Sequence, residues 1–123
     1  MHLLLVFVGG GFGAMCRYGI NTVITPSSKG FPYQTILANI ISSMILGLLL
    51  SYFIIKGENV NARLLGVVGF CGGFSTFSSF SAETVLLMQA GNFGLAILNI
   101  TASVLLCILA ISAGLYLGSQ TFR

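Results

Sequence analysis

Residues 64–82 read Leu64-Leu65-Gly66-Val67-Val68-Gly69-Phe70-Cys71-Gly72-Gly73-Phe74-Ser75-Thr76-Phe77-Ser78-Ser79-Phe80-Ser81-Ala82. No charged residue interrupts this run. A helix needs about 20 apolar residues to cross the hydrocarbon core of a bilayer, so the run is long enough for a span. Its middle is nevertheless poor helix material. Gly72 and Gly73 are adjacent, and glycine is unfavourable in a helix interior. Five hydroxyl residues then follow within positions 75–81. Serine and threonine side chains re-satisfy backbone groups that leave a helix. The reading is a spanning helix that breaks near its centre. Non-helical backbone at that depth is tolerated only where it is buried in protein or lines an aqueous cavity, so the break marks a candidate site. Freed carbonyls there suit a cation, and the start of the next helix suits an anion.

The flanking sequence fits the same environment. Residues 31–55 and 84–122 are also free of charge. Of the 123 residues, 56% are hydrophobic and 6% are charged, whereas a soluble domain carries about a quarter charged residues. Such a chain has a surface for lipid and none for water. Residues 1–16 are a shorter apolar start, and a full span there includes Arg17 and Tyr18. The predicted fold class is an all-α membrane protein with four transmembrane helices, at 3–24, 33–55, 64–88 and 93–117, in one domain over 1–123. Thr25-Pro26-Ser27-Ser28-Lys29-Gly30 is the first loop by turn chemistry, and Pro32 suits the start of the second helix. Residues 56–63 form the second loop, and Gln89-Ala90-Gly91-Asn92 is a tight third connection.

Several function classes fall away. Met1-His2 is not the basic start of a secretory signal, and the positive charge follows the apolar stretch, so residues 3–24 read as a retained span. Met15 before Cys16 is too large for a lipoprotein cleavage site. Cys16, Cys71 and Cys107 are odd in number and lie in apolar segments, so they read as small buried hydrophobes and not as a disulfide framework or metal site. His2 is the only histidine. A net charge of +3 spread along the chain makes no nucleic-acid patch. Nothing points to an enzyme.

Orientation is weakly specified. Lys56, Arg63 and Arg123 share one side of the membrane in a four-span layout, against Lys29 and the nearby Arg17 on the other. The positive-inside rule works on such differences, and this one is small enough to permit insertion both ways. Small residues four apart bring membrane helices together. Gly9 and Gly13 have that spacing, as do Gly69 and Gly73, and Gly9, Gly10, Gly11 and Gly13 are read as packing residues.

Single polar residues each admit two readings. The Asn39 amide, costly inside a span without a partner, either lines a pore or makes an interhelical bond. Glu83 is the only acid inside a span. Intramembrane ionisable groups are functional by default, yet it also reads as a carboxyl paired with hydroxyls or protonated. Arg17 either serves a vestibule or snorkels to the interface. Phe77 and Phe80 are three apart and share a helix face. They read as packing residues, or as rings that turn their positive edges to an anion and replace hydration without gripping it.

The segment from Gly69 to Glu83 closely resembles the signature of the Fluc (CrcB) fluoride channels. Gly9-Gly10-x-x-Gly13 leading to Arg17-Tyr18, and Thr35-Ile36-Leu37-Ala38-Asn39 in the second helix, match as well. The resemblance covers the whole chain. It implies a homodimer of oppositely inserted subunits, with two fluoride pores along the interface. It implies that Phe77 and Phe80 are the pore rings, that Asn39 and Thr76 line the pore, and that Glu83 is a carboxylate beside it. It makes Arg17 a vestibule residue, and it gives Gly72 and Ser75 backbone carbonyls to a structural sodium ion at the dimer centre. The helix-four polar track is Asn99, Ser103 and Cys107. It departs from the family form, with Asn99 in place of an aromatic hydroxyl, Cys107 in place of serine, and Ile111 where a hydroxyl would continue the line. The implied function is passive, fluoride-selective export through the inner (plasma) membrane of a prokaryote, with fluoride, a second copy and the lipid bilayer as the partners. Two alternatives stand beside it. A small dual-topology multidrug transporter has the same size, but that class uses a helix-one glutamate and tryptophan, both absent here. The other is a subunit that needs a second, non-identical partner.

Overall fold

The computed structural model describes residues 1–24 and 30–123. The expected loop at Thr25-Pro26-Ser27-Ser28-Lys29 therefore lies outside the described residues. Among the described residues there is helix and no strand, and four helical spans are long and apolar enough to cross a membrane. The first, α1, is His2–Val23, and the second, α2, is Tyr33–Lys56. Pro32 occupies the cap position of α2, where its missing N–H costs nothing. Gly57, with φ +92°, ends α2 in a conformation that side chains disfavour.

The third span, Val60–Gln89, is built from pieces. It starts with α3, Val60–Arg63, four residues earlier than the sequence predicts. Asn59 is the reason, because its side chain accepts the Ala62 N–H at 3.1 Å and nucleates the turn. Only Gly57, Glu58 and Asn59 remain non-helical in the expected second loop. A π-helical segment, Leu64–Cys71, comes next, followed by α4, Gly72–Phe74. The break falls at Ser75 and Thr76, both extended, and not at the paired glycines. Then α5 runs Phe77–Gln89 with Thr76 as its cap, the threonine hydroxyl accepting the Ser79 N–H at 3.2 Å. The turn to the last helix is a Schellman closure at Gly91, φ +75°, with Asn92 N–H on Leu87 C=O and Gly91 N–H on Met88 C=O. The final helix, α6, is Phe93–Thr121, one turn longer than predicted.

Packing pairs α2 with α6, and α1 with the π segment and α4. Both contacts depend on missing side chains. A Cβ on Gly9 would strike the Leu65 carbonyl, and one on Gly13 the Phe70 carbonyl. Across the other contact, a Cβ on Gly47 would strike the Ile111 carbonyl and one on Gly114 the Met44 carbonyl. Polarity runs opposite to that of a soluble protein. Leu3, Phe7 and Val23 are at least 77% exposed, while Thr35, Ser42, Thr84 and Asn99 are buried. Apolar side chains cover the outside, and the polar ones meet within, where they stabilise one another.

Candidate functional site

The break leaves backbone groups without helical partners, and α2 supplies replacements. Asn39 Oδ1 accepts the Thr76 N–H at 2.7 Å, and Asn39 Nδ2 donates to the Thr76 carbonyl at 3.3 Å. One amide thus clamps both polar groups of the residue at the break. A turn further along α2, the Ser42 hydroxyl donates to the Cys71 carbonyl at 3.0 Å. The Ser75 hydroxyl and the Ser75 N–H donate to the same carbonyl, at 2.9 and 3.0 Å. These bonds hold the end of α4 and the start of α5 in fixed relation to α2. Of the two readings for Asn39, the interhelical bond is therefore made, and the side chain borders a cavity as well.

That cavity, of about 250 Å³, is lined by Asn39, Ser43, Ser75, Thr76, Phe77, Phe80, Ser103, Val104 and Cys107. It contains no charged residue. It offers an amide, hydroxyls, a thiol and two rings. The Phe77 and Phe80 centroids are 5.5 Å apart with planes tilted by 43°. Phe77 is 79% exposed on the single chain, whereas Phe80 is half-buried. Because α5 begins at the cavity, the unpaired N–H groups and positive dipole end of a 13-residue helix lie beside it, and both favour negative charge.

Two of the expected pore residues stand outside this wall. Asn99 is 1% exposed and sits behind it, donating to Thr84 Oγ1 at 2.9 Å and accepting from Ser103 at 3.4 Å. Thr84 in turn donates to the Phe80 carbonyl at 2.7 Å, so Asn99 links Ser103 on α6 to the helix that carries the rings. Glu83 borders a second cavity, of about 220 Å³, with Gly30, Leu86, Leu87, Ala90 and Asn92. Its Oε1 accepts the Thr35 hydroxyl at 2.6 Å, and its buried Oε2 has no hydrogen-bond partner among the described residues. Arg17 is half-buried on α1, and the ion pair among the described residues joins Glu58 and Arg63 instead. Gly72 is exposed with open space around it, and Ser75 lies in the cavity wall. No N–H or O–H among the described residues meets the carbonyls of Gly72 and Ser75. No cluster of His, Cys, Asp and Glu suited to a metal occurs among the described residues.

Sequence reasoning missed Thr35, Ser42 and Ser43. Their signal was present. Thr35, Asn39, Ser42 and Ser43 recur at helical spacing on α2, a polar stripe inside an apolar span. Val104 carries no such signal.

Four apolar helices, three of which wall an uncharged cavity at mid-span, define a multi-pass membrane protein. The profile described as "CrcB-like protein, Camphor Resistance (CrcB)" matches residues 4–115. The chain is 44% identical over 119 residues to the fluoride-specific ion channel FluC of Rhodopseudomonas palustris strain BisB5, covering 95% of this chain and 96% of the relative. It is 40% identical over 123 residues to FluC of Coxiella burnetii strain CbuK_Q154, covering 98% and 99%. With FluC of Methylobacterium radiotolerans it shares 40% over 114 residues, 90% of this chain and 80% of that one. The chain belongs to the CrcB family.

Proposed function

We propose that this chain is a subunit of a passive fluoride channel, which works as a homodimer of oppositely inserted copies with two pores. The observation that carries the reading is the cavity that unites Asn39, Phe77 and Phe80 at the start of α5 without a fixed charge. The relatives named as fluoride-specific channels support it. Fluoride is small and strongly hydrated. Donors and ring edges that replace its water, with no cation to trap it, favour passage over retention. Fluoride enters cells as neutral HF and is trapped as the ion. A membrane potential then drives it out, since each charge gains about 2.3 kcal/mol per 100 mV. In this reading the membrane is the inner membrane of a prokaryote, Glu83 and Arg17 act at the approaches to the pore, and Asn99 supports Ser103.

What one chain leaves uncovered supports the dimer. Gly72 is exposed near the middle of the third span, and its carbonyl lacks a donor among the described residues. Lipid cannot satisfy such a group. A second copy against this face covers it, along with the exposed ring of Phe77. The carbonyls of Gly72 and Ser75 are hard oxygen ligands with unmatched lone pairs, a donor set that suits sodium. A sodium ion held by both copies would neutralise these dipoles at the interface.

The direct test is fluoride efflux from liposomes that contain only the purified chain. Rapid efflux on addition of a potassium ionophore is the expected result. Liposomes that retain their fluoride would reject the reading.

A further inference from the structure

We propose that Ser43 is a further ion-contacting residue, whose hydroxyl donates to the permeating anion beside Asn39. The inference rests on the channel reading above. Four hydroxyl residues line the cavity: Ser43, Ser75, Thr76 and Ser103. Each hydroxyl has one proton to give. That of Ser75 goes to the Cys71 carbonyl at 2.9 Å, and that of Thr76 to Ser79 Oγ at 3.1 Å. That of Ser103 goes to Asn99 Oδ1 over a longer 3.4 Å. Ser43 donates to no described residue.

Ser51 shares this freedom on α2 but does not line the cavity. Serine and threonine in a helix often return their proton to a carbonyl one turn back. Thr84, Thr101 and Ser112 do so here, to Phe80, Ile97 and Ile108. Ser43 does not, and it borders the cavity. It lies four residues after Asn39, so the two share a face of α2. The Asn39 amide has two N–H groups, of which one is used on Thr76. The α2 wall therefore presents two uncommitted donors one turn apart. Opposite them, α6 offers Cys107, whose thiol is a weak donor. An anion stripped of water in this cavity finds its strongest free hydroxyl donor at Ser43.

The experiment compares fluoride efflux from liposomes holding the wild-type chain, Ser43→Ala, Ser43→Gly, Ser43→Thr and Thr101→Ala. Gel filtration checks assembly. Losing a hydrogen bond to an anion should slow efflux on the order of tenfold in Ser43→Ala and Ser43→Gly. The half-saturating fluoride concentration should rise with it. Ser43→Thr keeps the hydroxyl and should restore most of the rate, and Thr101→Ala should match wild type. The glycine variant removes the hydroxyl together with its β-carbon and serves if the alanine variant misassembles. Wild-type rates in the assembled Ser43→Ala or Ser43→Gly protein overturn the inference alone. No efflux from the wild type removes the channel reading and this inference with it.

Discussion

At the scale of the residue, two kinds of side chain meet at the break, and they should fail differently. Phe77 and Phe80 line the cavity, and isoleucine keeps their apolarity without the quadrupole. Replacing either ring by Ile should abolish fluoride efflux while gel filtration still shows a dimer. A packing role predicts otherwise, because apolar swaps of similar volume cost less than about 1.5 kcal/mol; near-normal efflux from both variants would leave the ring-edge mechanism without support. Asn39 is a structural clamp as well as a wall residue. Asn39→Ala leaves the N–H and carbonyl of Thr76 unpaired, and each buried orphan costs about 1–3 kcal/mol. The variant should melt well below wild type in detergent. The control Ser112→Ala, which loses only an exposed bond to its own helix, should melt with wild type. Equal melting of Asn39→Ala and wild type would mean that the clamp contributes nothing.

At the scale of the element, the fold depends on backbone reaching backbone. Gly47 and Gly114 allow α2 and α6 to touch, each facing a carbonyl of the other helix. Membrane helices have no hydrophobic effect to hold them together, so close van der Waals contact and hydrogen bonds must do so. Gly47→Val or Gly114→Val should therefore scatter the gel-filtration profile and sharply reduce folded yield. Gly11→Ala and Gly94→Ala, with nothing near the added carbon, should behave as wild type. A monodisperse Gly114→Val protein would show that the helices can separate without loss. The third span belongs to this scale too. π-helical turns are rare and tend to occur at functional sites. Here the π segment leads into the Cys71 carbonyl, on which Ser42 and Ser75 converge.

At the scale of the whole molecule, the proposal that copies insert in opposite senses is open to a labelling test. Gly57 is a poor reporter position because its φ of +92° strains any side chain. Asn61 is exposed on α3 and suits the purpose. In a Cys16→Ala background, Asn61→Cys should react with an impermeant thiol reagent from both faces of the membrane. Labelling from one face alone would rule out dual topology. If sodium bridges the two copies, replacing it with a large organic cation should slow efflux and weaken the dimer. Unchanged efflux and assembly in sodium-free buffer would remove the ion from the account.

The sequence by itself determined the environment, the number of spans and the place of the candidate site. These follow from composition and local chemistry: long uncharged runs can only face lipid, and a hydroxyl-rich stretch inside one of them can only be tolerated in a protein-lined site. The tight connection at Gln89-Ala90-Gly91-Asn92 was legible for the same reason, since its geometry is decided within a few residues. Tertiary structure decided the rest. The break sits at Ser75 and Thr76 because Asn39, 37 residues away, satisfies the backbone there, while Gly72 and Gly73 stay helical. No local rule could locate that partner. Nor could local rules place Asn99 behind the wall, Glu83 in a different cavity, or Ser43 within the first one. Those outcomes depend on which helices pack together, and that depends on glycine contacts and interhelical hydrogen bonds between residues far apart in the chain.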